Sequence, residues 1–162
     1  IRSISKIKGI EKIRFLTSNP WDFHDELILE IAINKKIDRF IHIPIQSGSN
    51  KVLKRMNRGY TKEDYINLVT KLRNKAPEVT IGTDLIGGFP GETEEEFKET
   101  VRLAKLIDWE VAFVAQYSPR PGTAAWRVYQ DDISPQEKKR RWEVLDELIN
   151  KRKLYKRPKI VS

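Results

Sequence analysis

The sequence has no cysteine, a single methionine and only two histidines. Without cysteine, disulfides, thiolate metal ligands and cysteine nucleophiles are excluded within these residues. Two histidines with no softer neighbour give no spacing from which a metal site could be proposed. No apolar run approaches the roughly 18–20 residues that span a bilayer, and no leader pattern opens the chain, so cytoplasm is the expected compartment. The first residue is Ile1 rather than Met, which reads as a piece of a longer protein. What remains is 162 residues, 39% apolar and 33% charged, the length and composition of one ordinary soluble domain with a core of its own.

Charge is plentiful but uneven. Of a formal net charge of +8, residues 134–162 contribute ten Lys/Arg against four Asp/Glu, whereas residues 1–133 are nearly balanced. Such a basic segment either attracts a polyanion or forms a solvated helix face.

Four β-like runs recur: IRFLT (13–17), FIHIP (40–44), VTIGTDLI (79–86) and VAFVAQY (111–117). Between them, helical spacing groups Phe23, Leu27, Ile28 and Ile31, then Tyr65, Leu68, Val69 and Leu72, then Phe97, Val101 and Ala104. A last helix is expected from about Pro135 to Leu154, with Trp142, Leu145, Leu148 and Ile149 as its apolar stripe. Thr61 with Asp64, Thr93 with Glu96, and Ser134 with Glu137 place a hydroxyl at N-cap and a carboxylate three residues on; Pro135 stands at the tolerant first position. Alternating strands and helices imply parallel βαβ units, whose ligands collect at strand C-terminal ends. Those ends are TSNPWD, PIQSGSN, GGFPGET and SPRPGT, and the stretch 118–134 is long for a structureless loop.

GGFPGET is neither a phosphate-binding loop nor a dinucleotide fingerprint. It is a turn into a capped helix, or it brings bare backbone against a ligand. The run Gln46-Ser47-Gly48-Ser49 presents an amide and hydroxyls, or is a polar turn. His42 reads as a packed, hydrogen-bonded core residue. Asp84, in an apolar strand, needs partners, from a ligand or a structural network. Arg58 and Arg120 suit a carboxylate or phosphate, or ordinary surface ion pairs. Trp126 and Tyr129 are candidates for base stacking.

Taken in order, RFLTSNP, HIPIQSGSNKVLKRMNRGYT, TDLIGGFPGETEEEF and YSPRPGTAAW resemble the radical S-adenosylmethionine methylthiotransferases, and most closely their tRNA branch. The resemblance runs from about Ile13 to Leu154. It implies an α/β partial (βα) barrel of which this chain is the C-terminal part, strands three to six, over residues 1–154. Residues 155–162 are then a basic linker toward an RNA-binding domain. It implies S-adenosylmethionine as cofactor and two 4Fe-4S clusters whose ligands lie outside this chain. The reaction it implies inserts a methylthio group at C2 of N6-isopentenyladenosine 37, beside the anticodon, in a monomer acting on the tRNA anticodon stem-loop. These residues alone are then expected to be inactive.

The resemblance assigns cofactor contacts to Gln46, Ser47, Gly48, Arg58, Thr83, Asp84, Gly87, Gly88, Gly91, Gln116, Tyr117 and Ser118, with Arg58 a partner for the cofactor's carboxylate or for the tRNA. It assigns the substrate side to Ser18, Asn19 and Arg120; the charge distribution, separately, makes the basic run Lys138, Lys139, Arg140 and Arg141 the expected tRNA-facing anion surface. Asn19 stands where many members have His, which leaves a proton-transfer role there without its usual residue. On this reading the glycines of GGFPGET admit the adenosine, and Gly88→Val weakens cofactor binding more than stability. Rivals are the branch acting on N6-threonylcarbamoyladenosine and a non-catalytic nucleic-acid-binding βα module. The branch that modifies a ribosomal protein typically has Gln-His where Gln46-Ser47 stand, which favours tRNA.

Overall fold

The computed structural model describes residues 1–16, 20 and 23–151. Its elements run α1 (Arg2–Ser5), α2 (Asp25–Ile33), β1 (Phe40–His42), α3 (Asn50–Arg55), α4 (Lys62–Lys75), β2 (Thr80–Gly87), α5 (Glu94–Ile107), β3 (Val111–Gln116), α6 (Ala124–Val128), α7 (Pro135–Asp146) and a π-helical turn (Glu147–Lys151). The sheet is parallel throughout, in the order β1-β2-β3.

Local chemistry explains the boundaries. Thr61 and Thr93 accept the amides of Asp64 and Glu96 at 3.2 Å, and those carboxylates accept the threonine amides at 2.9 Å. Two reciprocal capping boxes therefore start α4 and α5. Ser134 caps α7 through the Glu137 amide at 3.2 Å, but the Glu137 carboxylate turns to Arg140 and Arg141 instead of back to the cap. The α-helical part of α7 ends at Asp146; Leu154 and residues 155–162, expected as a linker, lie outside the described residues. The long connection after β3 is not structureless, because Thr123 caps the short α6 within it.

Three of the four β-like runs are strands. The first, 13–17, makes only two isolated parallel bridges, Ile13 to Ile37 and Leu16 to His42. Three residue steps on one side face five on the other, so no continuous ladder can close; Thr17 lies outside the described residues. β1 is shorter than expected because the ladder to β2 breaks at Ile45, whose N–H goes to the Thr83 hydroxyl and not to a backbone carbonyl. Its register with β2 changes from Phe40 opposite Thr80 to Gln46 opposite Leu85, which is one extra residue and hence a bulge. The fully buried Thr83 hydroxyl fills this gap, donating to Ile43 O at 2.9 Å and accepting from Ile45 N at 3.1 Å.

One sheet face carries the core. Ile41, Ile81, Leu85 and Ala112 join Ile28, Ile31, Tyr65, Leu72, Phe97, Leu103, Trp109 and Leu145 in one buried cluster. Each such aliphatic side chain stabilises by about 1.5–3 kcal/mol. The polar atoms inside are satisfied in series: Trp109 Nε1 donates to the Tyr65 hydroxyl at 2.9 Å, which donates to Ile43 O at 3.0 Å. Residues alternate across a strand, so the opposite face presents Phe40, His42, Asp84 and Phe113.

The outer edge of β3 is closed by side chains. The Asn150 amide accepts from Ala112 N at 3.1 Å and donates to Ala112 O at 2.8 Å, as a neighbouring strand would. Trp142 Nε1 donates to Val114 O at 2.8 Å. The C-terminal helix is thereby locked to the sheet.

Candidate functional site

At the C-terminal ends of the three strands lies a cavity of about 760 Å³. Its floor is Asp84 and Ile86 of β2, with Ala115 and Gln116 of β3. One wall comes from Gln46 and residues 54–58, the other from Tyr117, Ser118, Arg120 and α6, with Phe89 between. A second cavity of about 710 Å³ lies over the open sheet face, lined by Phe15, Leu16, Phe40, His42 and Phe113 among others. Gln46, Arg58 and Asp84 line both.

Each shared residue is held for a reason. Gln46 has φ 73°, a left-handed conformation that costs a non-glycine residue about 1–3 kcal/mol. It persists because its N–H donates to Asp84 O and its carbonyl accepts from Ile86 N, both at 2.9 Å. Arg58 is positioned by the end of α3. Asn57 takes the left-handed position (φ 55°), its N–H donates to Lys54 O at 3.0 Å, and Arg58 N–H donates to Leu53 O at 2.8 Å. That is a Schellman turn with asparagine replacing the usual glycine. The Arg58 Nε is buried and has no partner among the described residues. Asp84 lies with Oδ1 3.0 Å from His42 Nε2, and Gly82 leaves room for this, since a Cβ there would meet Phe40 at 2.4 Å and His42 at 3.2 Å.

Seven sequence-predicted residues are thus brought together: Gln46, Arg58, Asp84, Gln116, Tyr117, Ser118 and Arg120. Others are not. Ser47 is fully buried, its hydroxyl 3.2 Å from that of Thr100. Gly48 is glycine because α5 passes close by: a Cβ would stand 2.5 Å from Thr100 Cα. Thr83 is occupied in the bulge. Gly87 and Gly88 face α7, where added Cβ atoms would meet Arg141 Cβ at 3.3 Å and Lys138 Cγ at 2.5 Å. Gly91 has φ 71° in the turn, and its N–H donates to Asp132 Oδ1 at 2.8 Å. At Gly87 and Gly88 the space next to the backbone is taken by α7, whereas a Cβ on Gly91 would meet only Arg55 Nε, at 3.9 Å. Ser18 and Asn19 lie outside the described residues.

The basic run on α7 also differs from expectation. Lys138 is buried, with Nζ 2.6 Å from both Asp131 oxygens. Arg141 is buried and bonds Glu92 at 2.7 Å and Glu137 at 2.7 Å. Arg140 pairs with Glu137 and Glu94, and Lys139 lies 3.8 Å from Glu143. All four cations have carboxylate partners, so charge reversal at Lys138 or Arg141 would break the fold rather than map an anion surface. The pairs shape local acidity. The hydrogen bond from Arg140, aided by Arg141, holds the Glu137 carboxyl down at about 2. Burial pushes Glu92 up, against the Gly88 amide and Arg141. Burial works to raise Glu96 as well, but Arg55 and the Thr93 amide keep it below its ordinary value.

Several lining residues went unread in the sequence. Lys54, Met56 and Asn57 reach the cavity through the Schellman turn, which the Asn57-Arg58-Gly59 run signals only weakly. Ile86 and Ala115 follow from strand parity once Asp84 is placed. Phe89 packs edge-on to Tyr117 and Tyr129, centroids 5.0 and 5.7 Å apart, fixing the wall near α6. Tyr129 serves that packing; Trp126 is half exposed and outside the lining.

Known proteins resemble this chain over nearly its whole length. A "tRNA-2-methylthio-N(6)-dimethylallyladenosine synthase" from Thermotoga petrophila is 50% identical over 98% of this chain, covering 36% of its own length. Proteins of the same name from Clostridium tetani and Buchnera aphidicola are 44% and 46% identical over 93% of the chain, and 33% and 34% of their own lengths. The chain thus spans about a third of these relatives. The family model described as the Radical SAM superfamily matches residues 1–104, and the chain belongs to that superfamily.

Proposed function

We propose that this chain is the C-terminal part of a radical SAM partial (βα) barrel, over residues 1–154, followed by a basic linker at 155–162. The parent protein on this reading is a cytoplasmic, monomeric methylthiotransferase. It acts at C2 of N6-isopentenyladenosine 37 in the anticodon stem-loop of tRNA. The observation that carries the reading is the cavity at the strand ends, which gathers Gln46, Arg58, Asp84, Gln116, Tyr117, Ser118 and Arg120 at one place. The names and identities of the relatives support the substrate.

The residues present fit S-adenosylmethionine. The partnerless Arg58 Nε supplies a cation for the carboxylate. The strained Gln46 holds its amide at the junction of the two cavities, for the ribose and methionyl part. The β3 edge from Gln116 to Ser118 offers backbone groups to adenine. Asp84, held by His42, would supply an acceptor for the adenosine part. When bound, the cofactor supplies the radical chemistry; these residues bind it, orient it and exclude water. The two 4Fe-4S clusters of this reading draw their ligands from outside the chain, which has no cysteine.

Filling the cavity tests the assignment. In the full-length protein, Ala115→Trp places an indole on the floor and is expected to abolish S-adenosylmethionine binding while circular dichroism stays native. Undiminished affinity would refute the location. Mass spectrometry of tRNA nucleosides then distinguishes the substrate: 2-methylthio-N6-isopentenyladenosine supports the reading, and a methylthiolated threonylcarbamoyladenosine contradicts it.

A further inference from the structure

Among the described residues, the cations of α7 are not free to meet a polyanion: all four are matched by Asp131, Glu92, Glu94, Glu137 and Glu143. The cavity is different. Among the described residues, its lining holds Lys54, Arg55, Arg58 and Arg120 against one carboxylate, Asp84. Arg55 is taken by Glu96, at 2.6 and 3.1 Å, and Asp84 lies against His42. Lys54 and Arg120 are exposed, and their side chains have no ion pair or hydrogen bond among the described residues. They belong to opposite walls, one on α3 after β1 and the other in the loop after β3, with β2 as the floor between. A concave site with low-dielectric walls focuses such unmatched charge.

We propose that Lys54 and Arg120 form a two-sided phosphodiester clamp on the rim of this cavity, so that the RNA backbone is held at the mouth and not along α7. The inference rests on the function proposed above for its substrate class. Lysine gives a point charge and arginine a planar fork. Together they grip the backbone without reading base identity. The clamp sets the depth at which a nucleoside between the two phosphate contacts enters the cavity. Arg58, deeper and shared with the second cavity, stays available for a small carboxylate.

The test measures binding of an anticodon stem-loop RNA carrying N6-isopentenyladenosine to the full-length protein, from about 50 to 200 mM salt. Loop phosphates contribute about 0.7 to the log–log salt slope per contact. Lys54→Gln and Arg120→Gln are each expected to weaken binding several-fold and to flatten the slope by about 0.7, and the double variant by about 1.4. Lys139→Gln, whose side chain is exposed on α7, is expected to change neither. S-adenosylmethionine affinity, measured alongside, stays at the wild-type value in every variant. An unchanged slope in the double variant, or a loss carried by Lys139→Gln, overturns the clamp. Loss of S-adenosylmethionine affinity in Lys54→Gln or Arg120→Gln also overturns it, by assigning the rim to the cofactor. Failure of the proposed reaction would show instead as RNA binding with a normal slope response but no methylthiolated product.

Discussion

Gly88→Ala separates a glycine that admits a ligand from one that admits a helix. Gly88 has φ 77°, and forcing an L-residue into that region costs about 1–2 kcal/mol. Its new Cβ would stand 2.5 Å from Lys138 Cγ. Lys138 cannot swing aside freely, because it is buried and its Nζ is held by both Asp131 oxygens at 2.6 Å. Overpacking of this kind costs about 1–3 kcal/mol. The sum is a loss of about 2–5 kcal/mol, large against the stability of a domain. Urea unfolding of the full-length protein reads it as a lowered midpoint. Adding Lys138→Ala removes the steric part, so a double-mutant cycle is expected to give a favourable coupling of about 1–3 kcal/mol. S-adenosylmethionine affinity, measured where the variant is folded, is expected to be unaltered. An unshifted midpoint with a tenfold weaker affinity would show that Gly88 faces the nucleoside, and this reasoning would be wrong.

Two other substitutions probe strain and charge. Gln46→Gly removes a left-handed side chain and relieves about 1 kcal/mol or more of backbone strain; the expected outcome is an equal or higher melting temperature together with weaker S-adenosylmethionine binding. Glu137 has a folded pKa of about 2 against an ordinary 4.5. Because this pKa is depressed, its stabilisation is fully present above pH 4.5 and is lost as pH falls toward 2. Glu137→Gln is therefore expected to lower the urea midpoint at pH 7 and to lower it less at pH 3. An equal deficit at both values would contradict the pairing with Arg140 and Arg141.

Much of the fold could be read from periodicity and caps, because those signals are local. Thr61, Thr93 and Ser134 mark real helix starts, and the runs around 40–44, 79–86 and 111–117 form a parallel sheet. The meeting of Gln46, Asp84 and Gln116–Ser118 at one end also follows from parallel topology. What stayed hidden depends on distant partners. Nothing near Arg141 in the chain reveals Glu92 as its buried counter-ion 49 residues away. The tertiary role of Thr83 requires a register change on a neighbouring strand, between His42 and Gln46. Two glycines of GGFPGET, Gly87 and Gly88, have α7 as their neighbour, which the local sequence does not show. The 13–17 run looked like a strand because its composition is right, but two bridges offset by unequal spacing cannot make a ladder.

The most direct test compares S-adenosylmethionine with its decarboxylated analogue in wild-type and Arg58→Gln full-length proteins. A buried hydrogen bond between charged groups contributes about 1.5–3 kcal/mol, roughly a 10- to 150-fold preference. The wild type is predicted to favour the carboxylated ligand by that factor, and Arg58→Gln to bind both alike. Equal affinities in the wild type, or a preference that survives the substitution, would place the cofactor somewhere other than the cavity at the ends of these three strands.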